Sequence, residues 1–218
     1  MKRILTMGIA LGMLLGLMVP AEATLIDNGG GLIYDTDFNI TWLKDANYAK
    51  TSGFSATGEM DWTTANTWAA SLTYDGQTGW RLPTTLQPDS TCSGQSVFGS
   101  GALNCTGSEM GHLWYTELGN TAGSFTNSGP FTDVQPAIYW SGTEVAPHPA
   151  AVWVFRVSDG YQDIFCKDCP LYAWAVHPGD LGVAPSSVPE PGTLLLLGSG
   201  LIGLVAFRKK LGGALAIR

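Results

Sequence analysis

The sequence predicts an α+β domain set between two apolar segments. Three observations carry this. An early pair of short apolar runs is split by an Asp/Asn-rich turn. A single helical pattern follows. The interior then ends in a series of short, alternating, aromatic-rich runs joined by turn residues. The 218-residue chain has apolar ends with basic flanks, and a Gly-, Thr-, Trp- and Asp-rich interior over residues 25–186. An interior of that length forms one domain of ordinary size with room for a core of its own.

The elements follow in order. Residues 32–34 and 40–43 read as the strands of a β-hairpin. Asp61 caps a helix whose apolar face is Trp62, Ala65, Trp68, Ala69 and Leu72, and the helix ends before the turn pair Asp75-Gly76. GWRLPT (79–84) is a compact strand-to-turn element, stopped by Pro83, with Thr84 placed to cap a further short helix. From 87 to 136 the periodicity is lost in a Gly-, Ser-, Thr- and Asn-rich loop region with short elements such as 113–115; loops of that length in a compact domain usually carry function. Strands return at 137–143, 151–155, 161–165 and 172–177, with Ser158-Asp159-Gly160 turning the second into the third.

Charge narrows the partners. Residues 25–186 carry five Lys/Arg (Lys44, Lys50, Arg81, Arg156, Lys167) against sixteen Asp/Glu, a balance of −11 beside −7 for the whole chain. Such a surface repels phosphate backbones, so no nucleic-acid partner is expected.

The termini predict export. Lys2 and Arg3 precede an apolar run over 4–19, Pro20 breaks it, and Ala21-Glu22-Ala23 has the small-x-small form accepted by signal peptidase, giving a signal peptide over 1–23 and a mature chain delivered through the Sec route. At the other end Val188-Pro189-Glu190-Pro191 precedes an apolar run over 194–207 and the basic cluster Arg208-Lys209-Lys210. Fourteen helical residues at ~1.5 Å each reach about 21 Å, short of a ~30 Å hydrocarbon core, and snorkelling basic residues extend the span. The basic cluster holds the cytoplasmic side, and the Pro-Glu-Pro stretch, barred from helix, leaves an extended segment open to a protease. This tail (187–218) resembles the PEP-CTERM sorting signal. The resemblance implies an exosortase as partner, a Gram-negative host that makes exopolysaccharide, an inner-membrane intermediate, and a final place at the cell surface or in the extracellular matrix of a biofilm.

The interior resembles the domain at the C-terminus of the Legionella collagen-like protein. The matching pieces are IYDTDFNITWL (33–43), the Trp-bearing helix, GWRLPT, YWSGTE (139–144), AVWVF (151–155) and AWAVHPGD (173–180), with His177 where the family usually has Arg. The resemblance implies a C-type-lectin-like fold akin to the formylglycine-generating enzymes, and a non-enzymatic adhesion or binding module; the namesake is an adhesin that binds glycosaminoglycans. An enzyme on the same fold and a purely structural surface component are the alternatives.

Four cysteines remain after export, and an even count in an oxidising compartment argues for disulfides. Cys92–Cys105 and Cys166–Cys169 are the favoured pairs, with two other pairings open. A redox role for Cys166-Lys167-Asp168-Cys169 is disfavoured by Pro170 and by flanking strands. No catalytic constellation, cofactor motif or metal-ligand spacing stands out. His112, His148 and His177 are scattered without HxxxH spacing and read as surface or capped residues. Gln87-Pro88-Asp89 reads as a turn rather than a lectin calcium motif. No cofactor is expected; calcium at the loop Asp and Asn residues is the alternative. Of the eight Trp, Trp62, Trp68, Trp80, Trp140, Trp153 and Trp174 lie in periodic elements and are expected in the core. Trp114 is expected to be the exposed one and, with Tyr115, to face a glycan.

Overall fold

The structure is a computed structural model that describes residues 25–93, 101–146 and 148–182. The signal-peptidase site at Ala21 and Ala23, the sorting residues Val188, Pro189, Glu190 and Pro191, the apolar run 194–207 and the cluster Arg208, Lys209 and Lys210 lie outside the described residues. Among the described residues no helix is long and apolar enough to cross a membrane.

The domain is α+β and mostly sheet. Strands β1 (Leu25–Gly29), β2 (Leu32–Asp35) and β3 (Ile40–Leu43) form an antiparallel meander that β9 (Val176–Pro178) completes from the far end of the sequence, in the order β1-β2-β3-β9. The second sheet runs β4-β8-β5-β6-β7, from β4 (Glu59–Met60), β5 (Ile138–Val145), β6 (His148–Arg156), β7 (Tyr161–Cys166) and β8 (Leu171–Tyr172). Its pairings are antiparallel except β5 with β8.

Helix α2 (Trp62–Ser71) forms where its cap and periodicity place it. The Asp61 carboxylate accepts the Thr64 N–H at 2.9 Å, satisfying one of the orphan donors of the first turn, and the helix buries Ala65, Trp68 and Ala69. A shorter α1 (Tyr48–Thr51) precedes it, and α3 (Glu109–His112) runs into a π-helical turn, Leu113–Glu117.

Two expectations need correction. The run 172–177 is not one strand: β8 and β9 belong to different sheets, and the intervening Trp174 turns inward, 3% exposed, with its indole Nε1 donating to Leu43 O at 2.7 Å. No helix follows Thr84: residues 82–86 take no regular structure, and the Thr84 and Thr85 N–H groups donate to the Glu109 carboxylate and the Thr143 hydroxyl.

The core lies between the sheets and is aromatic at its centre. Trp174 packs edge-on against Trp42 (5.0 Å between rings) and Phe131 (4.9 Å), with Tyr139 at 5.9 Å. Trp68, Trp80, Trp140 and Trp174 are buried as expected, while Trp62 and Trp153 are half-buried. The polar edge of each buried indole needs a partner, and Trp140 Nε1 finds Met60 O while Trp80 Nε1 finds Gln77 O.

Candidate functional site

GWRLPT and YWSGTE meet and hold one another. Arg81 exchanges both backbone hydrogen bonds with Val176, each 2.9 Å. Ser141 Oγ donates to Pro83 O at 3.0 Å and accepts from Thr85 Oγ1 at 2.9 Å, and Gly142 N donates to Pro83 O. These residues form a scaffold, and the segment they launch, 86–89, becomes the wall of a surface groove.

That groove is open, about 320 Å³ in volume, and is lined by Leu86, Gln87, Pro88, Asp89, Trp153 and Gln162 with the neighbouring Cys92 and Ala102. Leu86 is 51% exposed, one of few large apolar side chains left in solvent. The Gln87 amide is clamped. Its Oε1 accepts Trp153 Nε1 at 3.0 Å and Ala146 N at 3.2 Å, and its Nε2 donates to Glu144 O at 2.7 Å. The clamp fixes the tilt of the half-buried Trp153 ring. Asp89 is buried and accepts from the Thr91 N–H and hydroxyl and from Ser108 Oγ, so its charge is spent internally. The tripeptide Gln87-Pro88-Asp89 is a bend, as expected, but all three residues line the groove. Gln162 and Ala102, both in its lining, pair through two backbone hydrogen bonds. The Cys92–Cys105 disulfide ties one rim to the segment that leads into α3, and Cys166–Cys169 closes the loop after β7. Both favoured pairings are thus present.

Trp114 is not the exposed aromatic expected of it. It is 2% exposed, its Nε1 donates to Val157 O at 3.0 Å, and it lies under the β6–β7 turn, where Tyr115 Oη donates to Gly160 O. The Gly- and Thr-rich surroundings read as open loop, yet the π-helical turn folds the indole into the core, so Trp114 and Tyr115 do not form a ligand-facing pair. The aromatic that does border a groove is Trp153, which β-strand periodicity assigned to the core.

His112 departs most from its sequence reading. It is buried, with Nε2 3.3 Å from Glu117 Oε1 and 3.3 Å from Asp37 Oδ2, and its ring packs on Phe38 at 4.7 Å. One ligand atom each from Asp35, His112 and Glu117 lie within 4.8 Å of one another. Burial pushes the Asp35 carboxyl above its usual range, against hydrogen bonds from the backbone of Phe38 and Asp37 and the neighbouring His112. Burial likewise raises Glu117, and the adjacent Asp35 charge adds to it. A second acid–sulfur grouping, Asp89 with Cys92 and Cys105, offers no thiolates, since both sulfurs are in a disulfide. His148 is exposed, and His177 packs edge-on against Trp80 with Nε2 against Thr78 O.

Two sheets, two disulfides and an open groove define a disulfide-braced α+β domain of the kind that exported proteins use. The chain belongs to the Lcl C-terminal domain family, whose match runs over residues 31–177, from the β1–β2 turn into β9. A PEP-CTERM protein-sorting motif matches residues 187–210, which makes this an exported protein that an exosortase sorts to the surface. Comparisons with curated proteins and with solved structures return no match.

Proposed function

We propose that the domain is a non-enzymatic binding module, displayed at the cell surface or in its matrix, that associates with exopolysaccharide through the groove bounded by Leu86, Gln87 and Trp153. The observation that carries this is the Gln87 clamp. A fixed amide holds an aromatic ring beside an exposed apolar side chain in an open groove, and sugars are bound by apolar C–H faces against rings with polar groups at the rim. Sorting by an exosortase supports a ligand outside the cell, because it delivers the groove to the surface. A cysteine-dependent enzyme finds no thiol among the described residues, where all four cysteines are paired. The lectin-like character implied by the family resemblance agrees with this reading.

The test is retention of the purified protein on its host's own polysaccharide. Leu86→Ser alters an exposed side chain and leaves stability within about 0.5 kcal/mol, and Trp153→Ala removes the ring. Loss of retention in both variants, with wild-type melting for Leu86→Ser, is expected. Wild-type retention no better than that of denatured protein, or unchanged by either variant, would refute the assignment.

A further inference from the structure

We propose that Asp35, His112 and Glu117 hold one divalent transition-metal ion of the zinc class, which pins the π-helical turn to the β2–β3 hairpin. The site is separate from the groove and does not depend on the glycan reading.

Four observations converge. First, Asp35 ends β2 and is 0% exposed. Its Oδ1 accepts the N–H groups of Asp37 and Phe38, while its Oδ2 is buried with no hydrogen-bond partner. A buried carboxylate oxygen left bare is costly, and a cation is its natural complement. A hydrogen bond from the Trp42 indole N–H is the weakest of the influences that hold the Asp35 carboxyl down, and at full hydrogen-bonding distance neither that N–H nor Oδ2 has a partner.

Second, the spacing of His112 and Glu117, a long hydrogen bond as it stands, is also one that coordination would give. His112 Nε2 and Glu117 Oε1 are 3.3 Å apart. A charge-assisted hydrogen bond between them would close to about 2.7–2.9 Å. Two ligands each about 2.0 Å from a tetrahedral ion are separated by about 3.3 Å.

Third, the backbone is shaped to bring the two together. Residues five apart diverge on an α-helix. Here Leu118 N donates to Leu113 O at 2.9 Å, five residues back, and the widened turn sets Glu117 beside His112. Such turns are rare and concentrate at functional sites.

Fourth, the charge is uncompensated. Asp35, Asp37 and Glu117 surround a single imidazole, and among the described residues no Lys or Arg forms an ion pair with any of them. The Glu117 side chain is 3% exposed and that of Asp37 41%, so Asp37 adds its charge from the open side.

One imidazole and two carboxylates in a confined space select a first-row ion with few ligands. Calcium, which takes six to eight oxygens, fits poorly.

The experiment uses the full chain in detergent, stripped with a chelator and titrated with Zn2+ or Ca2+ alone, with imidazole 15N NMR and metal analysis as readouts. The expected result is one zinc per chain, with the Nε2 resonance of His112 shifted while those of His148 and His177 stay in place, and no response to Ca2+. Glu117→Gln and Asp35→Asn should lose the ion. If either variant fails to fold, the wild-type resonances decide on their own. An unmoved His112 Nε2 would mean a hydrogen-bonded imidazole only and would overturn the proposal. So would a shift at His148 or His177 instead, or zinc retained by folded variants.

Discussion

Arg81 and Glu109 form a two-pronged ion pair, Nη1 to Oε2 at 2.8 Å and Nη2 to Oε1 at 2.7 Å, across 28 residues of sequence. The two sides are unequal: the Glu109 side chain is 6% exposed and that of Arg81 34%. Glu109 also accepts the Thr84 N–H, so this carboxylate fixes the start of the groove-bearing segment to α3. Removing the cation strands a buried anion, whereas removing the anion leaves a cation that water reaches. Arg81→Ala should therefore cost about 3–5 kcal/mol, and Glu109→Ala less. Denaturant unfolding of both variants measures the difference, and equal costs would show that the pair's asymmetry carries no energy.

The cap of α2 predicts a pH signature. The Thr64 N–H, and after it the Thr64 hydroxyl, hold the Asp61 carboxyl below its ordinary value of 3.8. A lowered folded-state pKa contributes stability that is present above the unfolded value and lost as pH falls through the folded one. Asp61→Ala should cost about 1 kcal/mol at neutral pH, and the gap to wild type should close below pH 3.8. Asp61→Asn, which keeps an acceptor, should lose little at neutral pH and show no such dependence. Thermal melts at stepped pH check both.

Cys92 lines the groove and its disulfide to Cys105 spans 13 residues. Replacing both cysteines with serine should lower stability by about 3 kcal/mol, the entropy of closing a loop of that size. It should also weaken polysaccharide retention, because the rim is no longer tied. Unfolding and retention measured on the same preparation separate the two effects.

Gly160 turns β6 into β7 with φ +78°, and a Cβ there would stand 2.5 Å from Trp114 Cζ3 and 2.6 Å from Tyr115 Oη. Gly160→Ala should cost about 1–3 kcal/mol and shift the fluorescence of Trp114 as the indole moves. An unchanged spectrum and melting temperature would contradict the burial of Trp114.

Much of the scaffold was legible because its signals are local. Asp61 with the Trp62–Ala65–Trp68–Ala69 periodicity names a helix in a dozen residues, and Ser158-Asp159-Gly160 names the β6–β7 hairpin. What failed depends on partners far along the chain. Residues 172–177 alternate like one strand, but Tyr172 pairs with β4 and β5 while Val176 pairs with β3 and Arg81. Trp114 looked exposed because nothing in GHLWYTELGN announces a π-helical turn. The same turn hid the acidic cluster. A search for ligands three or four residues apart passes over His112 and Glu117, and Asp35 arrives from a strand 77 residues earlier. Gln87 and Trp153 meet only once β6 has paired with β5.

Export of a disulfide-braced domain underlies every functional statement above. Intact mass of the native protein, taken from the envelope or medium without reduction, tests it most directly. The expected mass lacks residues 1–23 and the segment beyond the sorting motif, and is four hydrogens lighter than the reduced chain. A full-length chain with all four thiols free, recovered from the cytosol, would contradict it.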